Sequence, residues 1–271
     1  METALPNWQI TLNASDAEAA AVLSQDRVWN CFALADLLPP FREYSQVAIA
    51  RQSGSADFAA CLVLRHPALT VISPFGVSGG VAAILARLDL PGQALLQVQE
   101  THLPLFQQYY RFQPGERVLL RMAVAAGTFL PPGAPQAQPE RLTSADLAAV
   151  QALYAHFPEN HFRDELLEHG VFYGVRSGDK IVAAGGTHVV AVDYGLAVLG
   201  NIFTHPAARR QGYARAITAA LVTDLLARGC RNVVLNVVAD NSPAITLYAN
   251  LGFQTHSRYW TMQAERIAAP D

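Results

Sequence analysis

The sequence predicts an α/β chain of the α+β kind, made of two successive units, each with a mixed, mainly antiparallel central sheet flanked by helices. Three observations predict it. The chain has 271 residues, more than one typical domain of about 100 to 200. Residues 125–139, AAGTFLPPGAPQAQP, are prolines, glycines and small residues that neither complete a helix nor pair well in a sheet. On each side of that segment, strand-like runs lead into a helix, a strand, a second helix and a closing strand, in one common order. The expected organisation is therefore a first domain at 1–126, a linker at 127–139 and a second domain at 140–271.

In the first half, helices are expected at 16–23 and 28–37, then strands at 47–51, 58–64 and 69–73. A glycine-containing turn follows at Gly76, Gly79 and Gly80, then a short helix to Leu88, a strand at 94–98, a helix at 103–110 and a strand at 117–124. The second half opens with Thr143 and Asp146 at capping-box spacing ahead of Leu147, Val150 and Leu153. A second helix is expected at 160–169. Strands rich in Val, Ile and aromatics follow at 172–176, 181–189 and 196–203, separated by turns at Ser177-Gly178-Asp179 and Asp193-Tyr194-Gly195. Ile217, Leu221 and Leu225 then recur at helical spacing and Gly229 is a stop, which makes 213–228 the longest helix. A buried strand at 233–238, a helix started by Ser242-Pro243 and closing strands around 253–262 complete the order. Phe112-Gln113 falls where Phe253-Gln254 falls in the other half, as a degenerate internal duplication would place it.

Bulk composition excludes several function classes. Lys and Arg number 19 against 22 Asp and Glu, with no long basic run, so neither nucleic acid nor an acidic membrane surface is an expected partner. No apolar stretch reaches the roughly 18 to 20 residues that span a bilayer, and the first residues carry early acids where a secretory leader would be basic and then apolar. A cytoplasmic location is expected. Cys31, Cys61 and Cys230 are odd in number and lack metal or redox spacing, so they read as buried structural thiols and no metal site is expected.

The chemistry concentrates in NIFTHPAARRQGYARAITAAL, a strand running through a short loop into the long helix. A helix amino terminus presents unpaired N–H groups and a partial positive charge, which favours phosphate oxygens. Gly212 has no side chain to hold a phosphate away, Ala214 is nearly as small, and Arg209, Arg210 and Arg215 add charge at the same end. A surface loop with solvated arginines is the plainer alternative on spacing alone.

Here the chain resembles the GCN5-related N-acetyltransferase (GNAT) superfamily. Its loop signature of Gln or Arg, two residues, Gly, one residue, and Gly or Ala is met by Arg209-Arg210-Gln211-Gly212-Tyr213-Ala214. The later run from Asn241 through Leu247-Tyr248 to Gly252-Phe253 looks like the family's pattern on the following helix, and Phe203-Thr204-His205-Pro206 with Asn241 and Tyr248 is most similar to the glycine N-acyltransferase-like subgroup. The resemblance implies acetyl-CoA, or another acyl-CoA, as cosubstrate and an amine acceptor. It implies that Ile202, Phe203 and Thr204 pair with the pantetheine arm, that Arg209 to Arg215, Gln211 and Tyr213 included, surround the pyrophosphate, and that Asn241 contacts the cofactor arm. Tyr248 would stand by the thioester sulfur, where a phenol of pKa near 10 can protonate a departing thiolate; a packed core aromatic is its plainer role. The base stays open among Glu159, His188 and Asp193: His188 is placed at a strand end reaching the acceptor cleft, Glu159 in the loop between the first two helices, and Asp193 in a turn.

At the equivalent turn the first half offers glycines without an arginine, and Gln107 where Tyr248 stands in the second. That half is expected to have lost its own catalytic site, with homodimerisation left open for its surfaces. Two activities fit the whole: an N-acyltransferase, or a non-catalytic acyl-CoA-binding sensor or scaffold. A P-loop nucleotide binder is disfavoured because no Gly-Lys-Ser/Thr ending is present.

Overall fold

The computed structural model describes residues 7–133, 137–158 and 160–267. The chain divides into two compact units, Met1–Leu120 with Ser257–Asp271, and Arg121–His256. The division does not follow the proline-rich linker. Residues 257–267, assigned from sequence to the second domain, pack with the first unit, and the second unit begins inside the strand that precedes the linker.

The first unit contains β1 (Trp8–Thr11), α1 (Asp16–Leu23), α2 (Cys31–Ala35), β2 (Ser45–Gln52), β3 (Phe58–His66), β4 (Leu69–Gly76), α3 (Ser78–Leu85), β5 (Gln93–Gln99), α4 (Leu103–Phe106) and β6 (Tyr110–Phe112). Strand β7 (Arg117–Ala125) carries the chain across the division. Helix α1 starts where Ser15 and Glu18 close a reciprocal capping box, which satisfies two of the N–H groups a helix start leaves unpaired. β1 to β4 form an antiparallel meander and β4 pairs parallel with β5. Strand β3 is buried at six consecutive positions, as expected of a central strand covered on both faces. Its Ala59, Cys61 and Val63 share a core with Ile72, Ile84, Leu96 and Phe106.

The second unit contains β8 (Glu140–Leu142), α5 (Leu147–Tyr154), α6 (Glu165–His169), β9 (Phe172–Ser177), β10 (Lys180–Ala191), β11 (Leu196–Thr204), α7 (Tyr213–Ala227), β12 (Asn232–Val238) and α8 (Ser242–Ala249). The last strand, β13 (Gln254–Arg266), leaves it: from Tyr259 to Glu265 it pairs antiparallel with β5 of the first unit. β8 to β11 are antiparallel and β11 pairs parallel with β12. The Thr143–Asp146 capping box is present and starts a 3-10 turn that runs into α5. Helix α7 buries Ile217, Leu221, Val222 and Leu225, one stripe at helical spacing, each worth about 1.5 to 3 kcal/mol when removed from water.

The helix expected at 160–169 shrinks to Glu165–His169. Asn160 donates its amide to the carbonyls of Tyr154 (3.3 Å) and Phe157 (2.5 Å), closing the end of α5 instead of opening a new helix. Cys31, Cys61 and Cys230 are free and buried. Among the described residues no helix is long and apolar enough to cross a membrane.

Candidate active site

The site begins where two strands part. β11 and β12 are paired from Leu196↔Asn232 to Leu199↔Leu235; beyond that point β11 continues to Thr204 and β12 to Val238 without further pairing in the register. On its other side β11 carries a bulge. Its register with β10 steps from Gly186↔Gly200 to Ala184↔Phe203, one residue more on β11 than on β10, and Asn201 takes a left-handed φ of 54°. The Asn201 carbonyl accepts the Tyr154 phenol at 2.6 Å and its Oδ1 accepts the His161 amide at 3.0 Å.

Past the bulge the backbone directions can be read from one hydrogen bond. His205 N–H donates to the Val182 carbonyl at 2.9 Å, so His205 faces β10. Strand backbones alternate sides residue by residue. Phe203 therefore also faces β10, while Ile202 and Thr204 turn toward the side β12 has left. Of the three residues expected to line the cofactor arm, two present backbone groups to the opening. Phe203 instead stacks its ring on Phe157, centroids 5.0 Å apart and 9° from parallel. The Thr204 hydroxyl is buried and has no hydrogen-bond partner among the described residues.

The loop after β11 is shaped by His205, whose Nδ1 accepts the Ala207 amide at 3.3 Å, and by Arg209, whose Nε donates to the Thr204 carbonyl at 3.4 Å. Arg210 (φ 63°) and Gly212 (φ 73°) are both left-handed. Alternation of left-handed and ordinary residues turns successive N–H groups to one side, forming an anion-binding nest. Gly212 is the N-cap of α7 and makes no side-chain cap bond, so the first-turn N–H groups of that helix also face outward. Gln211 is held by the Tyr213 phenol at 2.6 Å. A cavity of about 300 Å³ opens here, lined by Thr204, Arg209 to Arg215, and Pro243 and Leu247 of α8. An anion of phosphate type fits this lining.

Helix α8 starts at Asn241, whose Oδ1 accepts the Ala244 amide at 3.2 Å; the side chain expected on the cofactor arm is its helix cap. Tyr248, next to the cavity-lining Leu247, is buried against Phe253 with ring centroids 5.8 Å apart. Burial pushes its phenol up to about 12.

The loop between α5 and α6 lies over β10 and β11 through ring pairs: His156 on His205 at 4.6 Å, Phe157 on Phe203, and His161 near His188 at 6.5 Å. His188 is inside β10, not at a strand end, because that strand runs on to Ala191. Its imidazole lies across Gly200, where any Cβ would collide with the ring. Burial first, then the neighbouring His161 and Arg163, push it down to about 4. Asp193 is exposed in the turn before β11. Glu159 lies outside the described residues. No group of three or more His, Cys, Asp or Glu among the described residues could hold a metal ion.

Sequence reasoning missed Asn201 and Tyr154. The signal for Asn201 was Gly200-Asn201 inside a Val- and Ile-rich strand, since glycine there marks a bulge and asparagine tolerates left-handed backbone. Tyr154 carried no signal of its own. In the first unit the register of β4 with β5 also ends early, at Ile72↔Leu96. Beyond it the Pro74 carbonyl accepts the Trp29 indole N–H at 3.0 Å and the Gly76 carbonyl accepts His102 Nε2–H at 3.0 Å, both from buried side chains. Tyr259 packs edge-on against Trp29 at 5.4 Å.

Comparison with known proteins gives the class of protein that carries this geometry, the acetyltransferases. Residues 140–253 match the family described as Acetyltransferase (GNAT) family. The chain is 35% identical over 117 residues to the ribosomal protein bS18-alanine N-acetyltransferase of Escherichia coli K12, covering 41% of this chain and 77% of that protein. It is 30% identical over 155 residues to the mycothiol acetyltransferase of Renibacterium salmoninarum, covering 49% of this chain and 46% of that protein. The chain spans half or less of the length of the mycothiol acetyltransferases it matches, 46%, 38% and 50% for three of them. Among solved structures, the GCN5-related N-acetyltransferase from Sphaerobacter thermophilus superposes with a TM-score of 0.59 at 21% identity, covering 99% of both chains. That from Kribbella flavida gives 0.59 at 14%, covering 93% of this chain and 96% of that one. This chain belongs to the acetyltransferase (GNAT) family.

Proposed function

We propose that the chain is an acyl-CoA-dependent N-acyltransferase that moves an acetyl group from acetyl-CoA to a primary amine of a small molecule or peptide. One observation carries the reading: β11 and β12 part directly before a loop whose two left-handed residues aim N–H groups, with three arginines beside them, into one cavity. The nest and the first turn of α7 would hold the pyrophosphate, Ile202 and Thr204 would pair with the pantetheine amides, and the unpartnered Thr204 hydroxyl would gain a partner. The amine nitrogen attacks the thioester carbon, the carbon–sulfur bond breaks, and Tyr248 gives its proton to the departing thiolate. The amine proton leaves through water or through His188, which is neutral at pH 7 and therefore able to accept it. The E. coli relative is by its name an alanine N-acetyltransferase, which supports an amine acceptor.

The first unit, in this reading, is a degenerate copy of the second whose cleft is filled by its own Trp29, His102 and Tyr259. Phe203 to Pro206 with Asn241 and Tyr248 support a place near the glycine N-acyltransferase-like proteins. A binding module without turnover is the second reading, favoured by one fact: an imidazole held near 4 is a weak base. Thiol release from acetyl-CoA against a panel of amines decides between them. Turnover that collapses in Tyr248→Phe with coenzyme affinity retained supports the enzyme; tight binding with no turnover for any acceptor supports the module.

A further inference from the structure

We propose that Tyr154 is a positioning residue for acyl transfer: by holding the Asn201 carbonyl, it aims the Ile202 N–H at the thioester oxygen. The inference rests on the acyltransferase reading, in which a strand N–H meets the thioester oxygen, and adds to it the side chain that orients that N–H. A peptide unit is planar and trans, so its C=O and N–H point in opposite directions. The Asn201 carbonyl and the Ile202 N–H belong to one such unit. Tyr154 is 3% exposed and its phenol bonds that carbonyl at 2.6 Å, on the side away from the opening. The N–H across the plane therefore points into the opening, in agreement with the alternation set by His205 and Val182.

The plane would not hold this direction by itself. The bulge removes Asn201 and Ile202 from one-to-one pairing with β10, and the β12 ladder has stopped at Leu199. A left-handed φ is less favourable than the ordinary strand conformation even for asparagine, which tolerates it best after glycine. Two bonds compensate: Tyr154 to the Asn201 carbonyl, and His161 N–H to its Oδ1. Burial pushes the Tyr154 phenol upward, so it remains a donor throughout the working pH range. Of these two bonds, Tyr154 alone acts on the peptide plane itself, because His161 holds only the side chain.

The test is isotope-edited infrared spectroscopy of acetyl-CoA labelled with ¹³C at the thioester carbonyl, bound to the wild type and to Tyr154→Phe, together with steady-state kinetics. A carbonyl polarised by an aimed N–H absorbs at lower frequency than in free acetyl-CoA. Expected in Tyr154→Phe are a shift back toward the free frequency, a fall in kcat of about 10- to 100-fold, and coenzyme Kd and acceptor KM within about twofold. A variant that keeps both the shifted carbonyl and kcat overturns the proposal while leaving the acyltransferase reading intact. A wild type that does not bind acetyl-CoA sinks both. Should Tyr154→Phe not fold, an α-hydroxy acid at position 202, which deletes only the N–H, carries the test: an unchanged carbonyl frequency there overturns the proposal.

Discussion

Burial acts on Tyr248 and His188 with opposite signs and one result. The phenol is pushed up to about 12 and the imidazole down to about 4, so both are neutral at pH 7. Tyr248 can then donate a proton and His188 can accept one. Tyr248→Phe keeps the ring against Phe253 and removes the donor; kcat is expected to fall about 10- to 100-fold with coenzyme affinity unchanged, measured by thiol release and calorimetry. The His188 shift also has a consequence for stability. Unfolded, the imidazole takes a proton near 6.5; folded, it refuses one until about 4. Between those values the unfolded chain binds more protons, so stability falls as pH drops from 6.5 toward 4. His188→Gln should remove its share of the stability lost between pH 7 and pH 5, shown by denaturant midpoints at the two values; His102, lowered by burial, acts in the same direction, and Asp36, raised to about 7 by burial, acts in the opposite one. An unchanged difference would contradict the stated environment of His188. At this scale the loop from Arg209 to Ala214 was legible because its chemistry is local. Asn201 and Tyr154 were not, because their roles depend on a contact 47 positions apart in the chain.

The ends of elements carry the groups assigned to the proposed site. Helix α7 has a glycine at its start with no side-chain cap, whereas α8 has Asn241, and the contrast suits one helix presenting N–H groups to a ligand while the other satisfies its own. Asn241→Ala is expected to cost about 1 kcal/mol of stability in a urea titration, the usual loss of a helix cap. A stability unchanged by that substitution would show that the cap is not formed. The sequence located α7, α8 and the β9 to β11 meander well, since periodicity and the Ser242-Pro243 start are local signals. It overextended the helix at 160–169 because Asn160 reads equally as a helix start or, as it proves, a partner for the carbonyls ending α5. It missed β1, β6 and β8, strands of four, three and three residues too short to show alternation.

At the scale of the molecule, the proline-rich segment signalled two units but not which strands each would own. Strand ownership is decided by long-range pairing, here Tyr259 to Glu265 against Gln93 to Gln99, and no local pattern in residues 254–266 specifies it. The two units share a meander followed by a parallel pair that parts early, yet differ at the parting point. In one the strand carbonyls of Pro74 and Gly76 are occupied by Trp29 and His102; in the other Thr204, with its unpartnered hydroxyl, lines an open cavity. One coenzyme per chain is therefore expected by calorimetry, and a stoichiometry of two would contradict the filled cleft.

In the proposed site, the left-handed loop and the start of α7 hold the coenzyme's diphosphate. Titration of coenzyme A into the wild type and into Gly212→Val, with circular dichroism as the control for folding, addresses it most directly. A β-branched residue cannot adopt the φ of 73° without strain, so the nest opens. At least about a tenfold loss of affinity, roughly 1.4 kcal/mol, is expected in a folded variant. Unchanged affinity in that folded variant would contradict it.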